Sequence, residues 1–217
     1  TGQSDDATVT VTWLVPPEAT ISGVKYDDSN ANGARDLGEE GLKDWTIQLW
    51  KLYDDWDLVE KVLTGDAGDY IFTVTEAGHY KIVEVLQDGW MQTAPDGGYY
   101  EFDVELGEVY SDKDFGNIEL GSISGHKFYD ANVNGLWDTA EVPIEGWKVH
   151  LTGTNIRGDT IDAYAFTAAD GKFIFENLLP GSYTVTEVFP PAWVPTTDTS
   201  FSHDLEEGED YVGPDFG

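Results

Sequence analysis

A chain of 217 residues with 42 acidic and 11 basic side chains has a formal charge of −31, which argues against nucleic acid and anionic membrane surfaces as partners. The absence of cysteine excludes disulfides, thiolate metal sites and a cysteine nucleophile. A 40% hydrophobic fraction with 8 Trp, 11 Tyr and 10 Phe sets the chain apart from disordered acidic polymers, and its length accommodates two domains, each with its own core. Most of the acid reads as solvated or salt-adapted surface. No apolar run approaches membrane-spanning length and no signal peptide begins the chain, so direct membrane insertion is not expected. The start at Thr1 and stop at Gly217 read as those of a monomeric fragment of something longer.

Residues 1–19 stand apart from the rest of the chain. Ala7–Val15 reads as one strand, stopped by Pro16-Pro17. It is either the last strand of a preceding domain or an added edge strand. From residue 20 the chain is a repeat of about a hundred residues, a domain period. Ile21-Ser22-Gly23-Val24-Lys25-Tyr26 returns as Ile123-Ser124-Gly125-His126-Lys127-Phe128, and Trp45 returns as Trp147. Gly78-His79-Tyr80 returns as Gly181-Ser182-Tyr183, Trp90 as Trp193, and Asp114-Phe115-Gly116 as Asp215-Phe216-Gly217. The expected domains are 20–119 and 120–217, joined by the short run Ile118–Ser122.

Short β-branched and aromatic runs alternate with Gly, Asp and Pro clusters, and no amphipathic helix pattern appears. In the first copy this predicts strands near 20–27, 44–53, 57–64, 69–74, 79–86, 99–105 and 109–117. The fold class is all-β: two tandem antiparallel β-sandwiches of about seven strands each.

After the first strand of each copy comes Asp-x-Asn-x-Asn-Gly-x-x-Asp-x-x-Glu. Copy one supplies Asp28, Asn30, Asn32, Gly33, Asp36 and Glu39; copy two supplies Asp130, Asn132, Asn134, Gly135, Asp138 and Glu141. Side-chain oxygens at positions 1, 3, 5, 9 and 12, Gly at 6 and a backbone carbonyl at 7 (Ala34, Leu136) match the twelve-residue calcium loop of EF-hands. Turn chemistry alone explains a single Asx/Gly-rich loop; two copies with every ligand position kept point to Ca²⁺, at least one ion per repeat. Strand-like sequence such as Trp45–Trp50 follows the loop, where dockerins carry helices, and this excludes a dockerin.

This ordered set of motifs resembles the SdrD B-like domain, a relative of the B-type repeats of collagen-binding surface proteins of prokaryotes. The residues that carry it are Ile-Ser-Gly-x-Lys-[Tyr/Phe], the Asp/Asn loop, Gly38-Glu39-Glu40-Gly41-Leu42, Trp45, Leu179–Glu187 and Asp114-Phe115-Gly116-Asn117. The resemblance covers about residues 20–217. It implies a prealbumin-like (Ig-like) sandwich, calcium in the loop, and a repeated spacer in a secreted or wall-attached adhesin. It implies further tandem domains as neighbours. In the wider superfamily a first-strand Lys is often joined to a last-strand Asn with help from a buried Glu. Strand parity directs Lys25, Glu84 and Asn117 inward together. A Lys–Glu ion pair with no covalent bond is the competing reading.

Trp45/Trp147 and Trp90/Trp193 recur and read as packing. Trp13, Trp50, Trp56 and Trp137 do not recur, and Trp50, Tyr53 and Trp56 suggest a platform for a glycan or protein ligand at a hairpin tip. With no Ser-His-Asp context, nucleotide loop or HExxH motif, enzymatic activity is not expected.

Overall fold

The computed structural model describes residues 17–217; the strand expected over Ala7–Val15, with Trp13, lies outside the described residues. The first sandwich contains β1 (Ala19–Asp27), β2 (Thr46–Leu52), β3 (Trp56–Leu63), β4 (Asp69–Val74), β5 (Gly78–Glu84), β6 (Trp90–Ala94), β7 (Tyr99–Val104), β8 (Val109–Tyr110) and β9 (Phe115–Glu119). One sheet runs β3-β2-β5-β7; the other runs β4-β1-β9-β6, with β8 also beside β1. The second sandwich contains β10 (Gly121–His126), β11 (Lys148–Asn155), β12 (Thr160–Phe166), β13 (Lys172–Leu178), β14 (Gly181–Glu187), β15 (Ser200–Leu205) and β16 (Asp210–Val212), in sheets β12-β11-β14-β15 and β13-β10-β16.

Period-2 alternation builds both cores. Tyr70, Phe72 and Val74 of β4, Ile47 and Leu49 of β2, and Tyr80 and Ile82 of β5 face inward around Phe115. Phe173 and Phe175, Val149 and Leu151, and Tyr183 and Val185 do the same around Phe216. The two clusters are separate, so each repeat buries its own apolar surface.

Two features depart from the expected strands. The run expected at 109–117 divides into β8 and β9, and β6 was not expected at all. Met91-Gln92-Thr93 lacks apolar–polar alternation and is held instead by pairing with β9, through Met91↔Ile118 and Gln92↔Asn117. The closing strand also runs parallel to the first, with Lys25 opposite Phe115 and Asp27 opposite Asn117. A domain whose first and last strands run parallel receives the chain at one end and releases it at the other.

Only Leu120 separates β9 from β10. Its N–H donates to the Gly89 carbonyl at 2.7 Å, and the Glu119 N–H donates to Glu207 Oε1 of the second repeat at 3.0 Å. Ala31, Ile118 and Leu179 form a third apolar cluster across the joint, flanked by Met91 and Leu120. Arg157 of the second repeat donates its Nε–H to the Ala31 carbonyl of the first at 3.2 Å.

Candidate metal loops and buried lysine pairs

The Asp/Asn loops follow β1 at Asp28 and β10 at Asp130, and they fold by the same hydrogen bonds. In copy one, fully buried Asp28 accepts from the Asn32 N–H (3.0 Å) and the Gly33 N–H (2.8 Å). In copy two, Asp130 accepts from Asn134 (3.2 Å) and Gly135 (2.7 Å). Asn32 accepts from the Ala34 N–H, and Asn134 from the Leu136 N–H. Glu39 accepts from the Asp36 N–H at 2.8 Å, and Glu141 from the Asp138 N–H at 3.0 Å. Gly33 (φ 78°) and Gly135 (φ 74°) make the turn in the left-handed region that glycine tolerates.

The loops thus bring the side chains at positions 3, 5 and 9 together, while those at positions 1 and 12 accept from backbone N–H groups of the same loop. Asn30 and Asn32 place amide donors on Asp36 Oδ2, at 2.8 and 2.6 Å, and these hold the Asp36 carboxyl below the usual range. Asn132 and Asn134 likewise donate to Asp138 Oδ2, at 2.7 and 2.9 Å. Among the described residues no three His, Cys, Asp or Glu side chains are grouped as a metal site would group them, the three carboxylates of each loop included. One observation marks a gap in the first loop's bonding. Glu39 Oε1 is buried without a partner, and burial pushes that carboxyl up. A hard cation is the kind of partner that such an oxygen lacks, so the donor set fits Ca²⁺.

Beneath each loop lies a lysine in the core. Lys25 is fully buried, with Nζ 3.2 Å from Glu84 Oε2, 3.3 Å from the Phe115 carbonyl and 4.3 Å from the Trp45 ring centre. Burial lowers its pKa from 10.5 to about 8 against the opposing pull of Glu84. Glu84 is pushed up by burial and drawn partway back by Lys25 and the Asn117 amide. Asn117 is fully buried, and neither its amide oxygen nor its nitrogen has a hydrogen bond of good geometry. Copy two repeats the pair: Lys127 Nζ lies 3.0 Å from Glu187 Oε2 and 4.7 Å from the Trp147 ring centre.

The recurring tryptophans pack edge to face, Trp45 on Trp90 at 5.4 Å and Trp147 on Trp193 at 5.0 Å. The three aromatics expected to form a platform divide. Trp50 and Trp56 lie half-buried on the outer face of the β3-β2-β5-β7 sheet, and Lys81 Nζ sits 4.1 Å from the centre of the Trp56 ring with His79 beside it. Tyr53 is exposed at the β2–β3 turn, near Lys51 and Glu76. Leu120 lies in the expected joint, but Ala31, Met91, Leu179 and Arg157 were not expected there from the sequence. Their one available signal is an apolar residue at loop position 4, where turn chemistry asks for none.

The SdrD B-like domain family matches residues 19–114 and again 121–210. The chain belongs to this family. These SdrD B-like repeats are 28% identical over 207 residues to serine-aspartate repeat-containing protein F of Staphylococcus epidermidis, an alignment covering 91% of this chain and 12% of that protein. They are 29% identical over 209 residues to serine-aspartate repeat-containing protein D of Staphylococcus aureus strain Newman, covering 89% and 15%. The chain thus spans 12–15% of the length of these curated relatives. Among solved structures, the SdrD B-like pair is similar to shaft pilin SpaA of Lactobacillus rhamnosus GG, with a TM-score of 0.40 and 11% identity over 91% of this chain and 96% of that one. It is similar to the minor pilin GBS52 of Streptococcus agalactiae at a TM-score of 0.40 and 13% identity, over 91% and 94%.

Proposed function

We propose that the chain is a pair of calcium-braced spacer domains of a large secreted or cell-surface prokaryotic protein of adhesin or surface-layer type, with no catalysis of its own. The observation that carries this reading is the parallel pairing of β1 with β9 and the one-residue joint to β10. Tension along the chain then loads the β1–β9 hydrogen bonds in shear and passes into the next repeat with little slack.

Asp28, Asn30, Asn32, Asp36, Glu39 and the Ala34 carbonyl would hold one ion, and Asp130, Asn132, Asn134, Asp138, Glu141 and the Leu136 carbonyl a second. Bound calcium supplies positive charge that offsets the mutual repulsion of the loop carboxylates. Its binding free energy adds to folding as RT ln(1 + [L]/Kd), about 2.7 kcal/mol per site at a hundred times Kd. Lys25, Glu84 and Asn117 supply a second brace at the β1–β9 pair. Neutral Lys25 Nζ attacks the Asn117 amide carbon, the new C–N bond replaces the old one, and the amide nitrogen leaves as ammonia with Glu84 moving the protons. A depressed Lys25 and an elevated Glu84 are the protonation states that this step needs.

Bound-metal analysis with intact mass on the purified chain tests both braces. Calcium near two ions per chain and a mass short by one ammonia are expected. A metal-free protein whose melting is indifferent to chelator would sink the first brace; an unmodified mass would sink the second. The alternative of an adhesive module at Trp50, Tyr53 and Trp56 has less support, since Lys81 and His79 already cover the Trp56 ring. A glycan array comparing Trp56→Ala with the unaltered chain separates the two readings.

A further inference from the structure

Repeat two covers the end of repeat one that carries the Asp/Asn loop. Ala31, at loop position 4 with φ 55°, is 6% exposed because Ile118 and Leu179 pack on it. Its counterpart in repeat two is Val133, also at loop position 4, with φ 59°. Met91 follows Trp90 at this joint, and Val194 follows Trp193. The correspondence is structural as well as sequential. A Cβ on Gly33 would meet the Thr93 carbonyl oxygen at 3.2 Å, and one on Gly135 would meet the Thr196 carbonyl oxygen at 3.4 Å. Thr93 and Thr196 are each three residues past the recurring tryptophan.

The two ends differ in what covers them. Val133 is 71% exposed and Val194 is 79% exposed. A β-branched residue in the left-handed region is strained, and a solvated one recovers nothing by packing. Asn or Gly would make the same turn at lower cost, so folding of repeat two alone does not explain Val133.

We propose that Val133 and Val194 form the docking face for a further domain of this same fold, seated on repeat two as repeat two is seated on repeat one. The established joint shows what the occupant brings: an apolar side chain in the place of Leu179, and a guanidinium in the place of Arg157 that donates to the Val133 carbonyl. The inference deepens the spacer reading, on which it rests, by naming the surface that receives the next spacer.

The test extends the chain at Gly217 with a second copy of residues 117–217, so that Asn117 follows Gly217 as it follows Gly116, and compares hydrogen exchange at amides 131–136, 193, 194 and 196 with that in the 217-residue chain, both in the same calcium buffer. Extension is expected to slow exchange about tenfold or more. Val133→Asp in the extended chain should restore the fast rate while core amides of β11 and β14 keep theirs. Val133→Gly, which suits the left-handed φ and so preserves the loop, should lose most of the protection as well. Equal exchange in the two chains, or protection that survives both variants, overturns the assignment. Protection of the 217-residue chain that grows with its concentration and disappears in Val133→Asp would overturn it in favour of a second copy in trans. Because both chains share one buffer, loss of the calcium reading leaves this comparison intact.

Discussion

In an Asn117→Ala background, where Lys25 keeps its free amine, replacing Glu84 by Gln removes the one carboxylate paired with Lys25 among the described residues. There burial depresses Lys25 from 10.5 to about 8, a cost near 3 kcal/mol at about 1.4 kcal/mol per unit. Glu84, 3.2 Å away, keeps that cost from rising further. Without it, the Phe115 carbonyl at 3.3 Å, the Trp45 ring at 4.3 Å and the charges of Asp27 and Asp28 remain as compensation, and Lys25 is expected to shift to the neutral form at pH 7. Holding a lysine neutral there costs about 5 kcal/mol, and relief of the buried Glu84 carboxyl returns part of it. The expected loss is about 1–2 kcal/mol, below the roughly 3–5 kcal/mol typical of a broken buried pair because the lysine can escape as the neutral amine. This lowers the transition of repeat one by roughly 5–15 °C and leaves repeat two, with its separate core, where it was. The pH profile carries the signature. A lysine whose folded pKa lies below its unfolded value makes the unfolded chain the better proton binder, so stability rises with pH between about 8 and 10.5. In Glu84→Gln that rise should begin below pH 7. Denaturant melts across pH 6–10.5 measure both effects. No measurable loss, or a rise still confined above pH 8, would refute the reasoning. Lys25→Met with Glu84→Leu should recover most of the stability, because the penalty arises from the unpaired charge.

The same geometry sets other expectations. Chelation should lower the melting temperature of each repeat by roughly 10–20 °C if calcium is held at a hundred times Kd, as calorimetry with and without chelator will report. Asn117→Ala should restore the full sequence mass by preventing loss of ammonia, and mass spectrometry distinguishes it from a variant such as Trp56→Ala that leaves the bond intact. Gly171 has φ 80° and its Cβ would meet the Lys127 carbonyl oxygen at 2.5 Å, so Gly171→Ala should destabilise repeat two by about 2 kcal/mol or more in denaturant melts. His79 is held above its usual range by Glu101 and Asp103; NMR titration should show a rise that is lost in the Glu101→Gln, Asp103→Asn variant.

Local chemistry determined much of this molecule. Alternation along Tyr70-Ile71-Phe72-Thr73-Val74 specifies a strand with one wet face, because the pleat sends successive side chains to opposite sides. The Asp/Asn/Gly loops specify their own turns through hydrogen bonds spanning two to six residues, and the same parity argument put Lys25, Glu84 and Asn117 on inward faces. Tertiary structure decided what depends on pairing between distant segments. β6 exists because β9 offers it hydrogen bonds, and its own residues carry no period. Whether β9 lies parallel to β1 is a matter of topology that no local propensity encodes. The joint was the least legible part: Ala31 and Val133 occupy the same loop position with nearly the same φ, yet one is covered and the other solvated. Burial of Ala31 depends on Leu179 and Arg157, about 150 and 126 residues away in the chain, and only the folded arrangement brings them to it.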